Sequence, residues 1–279
     1  MFKDLLVPVT RLGDDQAAIE AAIALAEREG SHLTALVQVQ VPVPDATVWG
    51  FYPATLYTGL YEEARKFAEQ QRDLLAVRLA KTGISSEVRV VESVLLKDSQ
   101  TAALHARYAD LVVLGRPAPN EGNRLLDQQF SDLLRSGGRP VLTVPSGTTT
   151  FPTVRRIAIG WQPSREASRA VHDAMPFLRR AQAIEVIVLD PHLGEGQHGQ
   201  QPGADIATHL ARHGLTVNVH IESGQGMSIG RGLLQHAEQL GCDLLVIGGY
   251  SHSRLREQIL GGVTQEVFNN AKIPVFFSH

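Results

Sequence analysis

The sequence predicts an α/β protein of two tandem doubly wound domains, each a five-stranded parallel sheet with four helices, and three observations carry that expectation. Short apolar runs rich in Val, Ile and Leu alternate with longer segments of helical period, the pattern of parallel strands buried on both faces by crossover helices. The alternation then runs a second time with matching landmarks. A length of 279 residues, 43% of them hydrophobic, is enough for two ordinary cores.

In chain order, residues 5–9 read as the first strand. Residues 16–29 follow as a helix with Ile19, Ala22, Ile23 and Ala26 on one face, and Gly30 ends it. Strand 32–41 comes next. The insertion 43–61 carries Trp49, Phe51, Tyr52, Tyr57 and Tyr61 beside Pro44 and Pro53. It reads as an ordered aromatic loop without helical period over 42–60, packed on a second copy of the chain. Ala64, Phe67, Ala68 and Leu75 mark an amphipathic helix over 61–81, closed by Gly83. Strand 86–91, helix 99–108, strand 110–114, helix 125–135 and strand 140–144 complete the first half.

The second half opens with strand 156–161 and helix 166–180. Ala80-Lys81-Thr82-Gly83-Ile84-Ser85 recurs as Ala211-Arg212-His213-Gly214-Leu215-Thr216, and Asp110-Leu111-Val112-Val113-Leu114-Gly115 as Asp243-Leu244-Leu245-Val246-Ile247-Gly248. Arg139-Pro140-Val141 returns as Ile273-Pro274-Val275. The offset is 152 from Leu5 to Ile157, 131 from Gly83 to Gly214, 133 from Asp110 to Asp243 and 134 from Pro140 to Pro274. Its near constancy after the aromatic insertion is that of a duplication, with the surplus residues of the first half in the insertion. The polar linker 146–152 divides the chain into halves 1–146 and 153–279. Proline at the start of 140–144 and 274–277 places both as edge strands. They are expected to meet across a pseudo-twofold axis.

A net charge of −3 and a pI near 6.4 supply no basic face for nucleic acid or an anionic membrane. The single cysteine, Cys242, excludes an intrachain disulfide and reads as a core residue. With no targeting signal or spanning run, the chain is expected to be cytoplasmic. Asp190, His192 and His198 share a Gly/Gln-rich loop at a spacing that fits no standard metal motif, so no metal is expected there.

The most informative stretch is 242–264. An apolar strand over 243–247 stops at Gly248-Gly249, and Gly261-Gly262-Val263-Thr264 opens a helix on which Val263, Val267, Phe268 and Ala271 recur. Unpaired N–H groups and partial positive charge make such a helix start an anion site, which glycines let a phosphate approach closely. Ser251, His252, Ser253, Arg254 and Arg256 offer further donors.

This spacing resembles the nucleotide loop of the universal stress protein family: Gly, two residues, Gly, nine residues, Gly, then Ser or Thr. Gly248 and Gly261 match the outer glycines, Ser251 stands at the middle one, and Gly262 takes the hydroxyl position, with Thr264 the next hydroxyl. With the repeat, the resemblance spans essentially the whole chain. It implies an adenine nucleotide alpha hydrolase-like fold holding ATP or AMP, with Mg accompanying ATP, outside the strand ends where strand order reverses. Gln162 stands where the family places an adenine-side aspartate, and its amide can both donate and accept along a base edge. Gln162-Pro163 also reads as the turn before a helix capped at Ser164.

The first half keeps Gly115, but Ala118, Gln128 and Gln129 replace the remaining signature. Pro117 and Pro119 remove donors, and Asp127 would repel phosphate. The resemblance therefore implies one nucleotide, in the second half, in a stress-response regulatory module that is a homodimer or an intrachain pseudo-dimer. No P-loop, Rossmann fingerprint, nucleophile elbow, HExxH or CxxC motif is expected to operate, and slow ATP hydrolysis is the most catalysis expected. The alternative is a nucleotide-free scaffold that engages a protein partner through the aromatic insertion.

Overall fold

The computed structural model describes residues 1–39, 54–92, 98–116, 124–149, 151–191, 200–224, 226–249 and 261–279. The first half runs β1 (Asp4–Val9), α1 (Gln16–Glu29), β2 (His32–Gln38), α2 (Ala54–Ala80), β3 (Ser86–Val91), α3 (Asp98–Ala106), β4 (Leu111–Arg116), α4 (Arg124–Ser136) and β5 (Val141–Pro145). The second runs β6 (Arg156–Gly160), α5 (Arg165–Asp173), α6 (Met175–Leu178), β7 (Ala183–Leu189), α7 (Ala204–Arg212), β8 (Val217–Glu222), α8 (Ile229–Gln239), β9 (Leu244–Gly248), α9 (Gly262–Asn270) and β10 (Val275–Ser278).

Together they form one ten-stranded sheet of order β3-β2-β1-β4-β5-β10-β9-β6-β7-β8. Pairing within each half is parallel. The halves join antiparallel, with Thr143 opposite Val275, Leu142 opposite Phe276 and Val141 opposite Phe277. Thus β5 and β10 are edges of their own halves, as the prolines imply, yet become the two middle strands of the joined sheet. Pro140 and Pro274 sit just before the strands, where a missing N–H costs no ladder bond. Their carbonyls accept from Val112 N and Leu245 N, each at 3.1 Å.

The junction is also packed through side chains. Phe130 of α4 stacks on Phe268 of α9 at 4.1 Å between centroids and meets Phe277 edge-on at 4.8 Å. On the opposite face Phe2 lies 5.3 Å from Phe177 and 6.5 Å from Phe276. The Arg180 guanidinium pairs with the Glu29 carboxylate across the halves. Residues of both halves therefore share each of the two hydrophobic clusters that sandwich the sheet.

Two expectations are corrected. The insertion is not aromatic loop throughout: α2 begins at Ala54 and takes in Tyr57 and Leu60, while the part around Trp49, Phe51 and Tyr52 lies outside the described residues. A long amphipathic helix propagates backward through residues of weak propensity once its nucleus exists. The expected helix 166–180 is broken into α5 and α6, because Pro176 in the first turn of α6 has no N–H to continue the ladder. The second half consequently carries α5–α9 where four helices were expected.

Candidate functional site

In the second half the chain order reverses between β9 and β6, so the cleft beyond the C-terminal ends of these strands is the topological switch point. Gly248 ends β9 against the start of α5: a Cβ there would lie 2.5 Å from Ala167 N and 2.6 Å from the Glu166 carbonyl carbon. Only glycine allows that approach. Gly249 N donates to Ser278 O at 2.8 Å, and His279 Nδ1 lies 3.1 Å from Gly249 O, which ties the strand exit to the end of β10.

Opposite, Gly261 stands at the N-cap of α9 in extended backbone (φ −57°, ψ 140°) and, being glycine, brings no capping side chain of its own. A Cβ on Gly262 would meet nothing within 4 Å, and Gly262 and Val263 are exposed. Thr264 is 3% exposed, so the open surface of this helix start belongs to Gly262 and Val263. Glu266 is turned to α8, where its Oε1 accepts from Ser228 Oγ at 2.5 Å.

Gln162 is exposed, two residues beyond β6. Ser164 caps α5, its Oγ accepting from Ala167 N at 3.1 Å, so Gln162-Pro163 is the entry turn of that helix. Asp190, with φ 45°, braces the exits of β7 and β8 by accepting from Gly224 N at 2.9 Å. Of the residues singled out by sequence, Gln162, Gly248, Gly261, Gly262, Val263 and Thr264 are described. Ser251, His252 and Arg254, like His192 and His198, lie outside the described residues. Among the described residues no group of three or more His, Cys, Asp or Glu could hold a metal. A groove of about 380 Å³ between His220, Glu222, Met227 and His236 flanks β8, away from this cleft.

The corresponding place in the first half is built differently. Between β4 and α4 the chain has seven residues, 117–123, where β9 and α9 are separated by thirteen, 249–261. The shortened loop starts α4 early and puts Gln129 inside the helix, where its Nε2 donates to Gln38 Oε1 at 3.1 Å. Asp15 closes the exit of β1, accepting from Thr10 N at 2.6 Å, Thr10 Oγ1 at 2.9 Å and Arg11 N at 3.0 Å. Burial raises its pKa despite those donors. Burial likewise raises Asp127, in the first turn of α4.

Sequence reasoning missed Arg116. It is 3% exposed at the end of β4 and crosses between the halves. Its Nη1 donates to Phe268 O at 2.8 Å and its Nη2 to Ala271 O, so a first-half guanidinium binds the C-terminal carbonyls of α9. The negative end of the helix dipole faces that charge, while burial lowers its pKa to about 10. The signal was present: a lone arginine continuing an otherwise apolar buried run. Gly226-Met227-Ser228-Ile229-Gly230 also has the spacing of a nucleophile elbow. Ser228 has φ −65° and ψ 151° and donates to Glu266, with ordinary N-cap backbone rather than a strained strand-to-helix turn. It is a helix start. The thiol of Cys242 is buried and pushed up to about 12 by desolvation and then by the Glu185 charge, which leaves it unreactive.

The family model for the universal stress protein family matches residues 1–145 and again 153–279. The chain belongs to this family. As a tandem universal stress protein it is similar over its whole length to solved structures of the same kind. A universal stress protein from Archaeoglobus fulgidus superposes with a TM-score of 0.75 at 16% identity, covering 99% of this chain and 95% of that one. A putative universal stress protein from Pseudomonas aeruginosa gives 0.60 at 19% identity, covering 99% and 93%. Universal stress protein Slr1230 from Synechocystis is 22% identical over 174 residues, 60% of this chain and 56% of that protein. The match therefore spans little more than half of that curated relative.

Proposed function

We propose that this tandem universal stress protein, with halves 1–146 and 153–279, is a cytoplasmic regulatory module that binds one adenine nucleotide, ATP or AMP, in its second half. The observation that carries the reading is the glycine-led start of α9 at the switch point, where Gly262 is exposed with nothing near its Cα face and Gly248 brings the opposite wall against α5. Backbone N–H groups and the positive helix end would hold the phosphates. Thr264 contributes its N–H rather than its buried hydroxyl. Gly261 lets the chain approach, and Ser251, His252 and Arg254, in the sequence between β9 and α9, would offer further donors. Gln162, exposed at the other wall, reads the base. Magnesium enters only with ATP.

Binding without turnover is the role assigned: the Ser228 hydroxyl that donates to Glu266 of α9 sits on ordinary N-cap backbone, not on the strained turn of an activated nucleophile. The first half acts as the structural partner: Asp15 closes the exit of β1, and only seven residues separate β4 from α4. Purified protein, denatured and analysed by chromatography, should release up to one adenine nucleotide per chain. Preparations that stay empty even after incubation with ATP or AMP would overturn the proposal in favour of a nucleotide-free scaffold.

A further inference from the structure

Helix α2 carries two apolar faces where a surface helix needs one. Ala68, Leu75 and Leu79 point into the core at 2%, 0% and 2% exposure, whereas Phe67, Leu74 and Val77 stand outward at 47%, 63% and 60%. The outward set has its own period. Glu63, Phe67, Gln70, Leu74 and Val77 of α2 and Lys81, in the turn that directly follows its last residue Ala80, come at spacings of four, three, four, three and four, and all six are exposed. That is the seam spacing of a helix that pairs with another helix. The counterpart in the second half, α7, has nine residues against 27 in α2 and offers no such seam.

We propose that α2 is a self-association surface on which a second copy of the chain docks through its own α2, antiparallel about Arg72. The register chooses the partner. About that centre Phe67 meets Val77, Gln70 meets Leu74, and Glu63 meets Lys81, each pair occurring twice by symmetry. A parallel arrangement would instead set Glu63 on Glu63 and Lys81 on Lys81, like charges in contact. The arginines along the helix do not disturb this pattern, since Arg65, Arg72 and Arg78 pair within the chain with Glu69, Asp73 and Glu20. An isologous contact of this kind closes on itself, so the product is a dimer rather than a filament. The proposal is independent of nucleotide.

Sedimentation of the full chain over a range of concentrations tests it. Wild type should show a monomer–dimer equilibrium, and Leu74→Glu should weaken dimerisation at least about tenfold, a change of about 1.4 kcal/mol. Glu63→Lys and Lys81→Glu should each weaken it, while the double variant Glu63→Lys/Lys81→Glu should recover it. Recovery by the exchanged pair cannot come from damage to the fold, and circular dichroism checks that every variant stays folded. A wild type that remains monomeric, a dimer indifferent to Leu74→Glu, or a double variant no better than the singles would each overturn the proposal.

Discussion

Arg116 is the residue whose loss should be felt farthest from where it stands. Removing its guanidinium orphans the Phe268 and Ala271 carbonyls and unfastens α9 from the first half. Charge-assisted bonds of this type are worth about 1.5–3 kcal/mol each, offset by relief of the buried charge. Arg116→Met should therefore lower stability in urea by about 2 kcal/mol, and Arg116→Lys should recover only part, because one ammonium cannot reproduce the two-pronged contact. An unchanged urea midpoint would remove Arg116 from this role. Asp15 makes a prediction of the opposite character. Burial raises its pKa above the ordinary 3.8, so the folded state holds this proton more tightly than the unfolded chain. By linkage its contribution is most favourable in acid and is lost as pH rises through the folded value. The stability of wild type relative to Asp15→Asn should thus fall between acid and neutral pH, then level. A difference that grows with pH would contradict the assignment.

At the scale of elements, the two glycines of the cleft separate packing from openness. Gly248→Ala drives a Cβ into the backbone of α5 and should cost about 1–3 kcal/mol. Gly262→Ala meets nothing and should leave the thermal midpoint close to that of wild type. Equal midpoints for the two variants would show that α5 gives way. Most elements were legible because their signals are local: Val and Leu runs for β4 and β9, apolar period for α1, and proline before β5 and β10. The helix start of α9 was legible for the same reason, as a glycine pair ahead of a periodic segment. What was not legible has two causes, local signals outweighed by their neighbours and contacts distant in sequence. The start of α2 lies in residues of weak propensity that a long helix recruits, and the break at Pro176 was overridden by the apolar period around it. Arg116 reaches carbonyls more than 150 residues away, and Asp15 resembles an N-cap but binds backward to Thr10 and Arg11. Neither partner can be read from spacing.

As a whole molecule the chain is a duplication whose copies have diverged in opposite directions around one shared sheet. The first half has a long second helix and a short loop between β4 and α4. The second has a short second helix and a thirteen-residue connection from β9 to an open helix start. Because β5 and β10 pair directly and the phenylalanines interleave at the junction, the halves are expected to unfold together, with the first serving as scaffold for the site on the second. The central claim is that this asymmetry leaves one nucleotide site per chain at the start of α9. Titration calorimetry with ATP on the intact chain and on Gly261→Asp tests it most directly, since a carboxylate at that position would repel the phosphates. One site per chain in wild type, with the heat abolished or the affinity cut at least about tenfold in the variant, is the predicted result. Two sites per chain, no binding by wild type, or heats that the substitution leaves unchanged would contradict it.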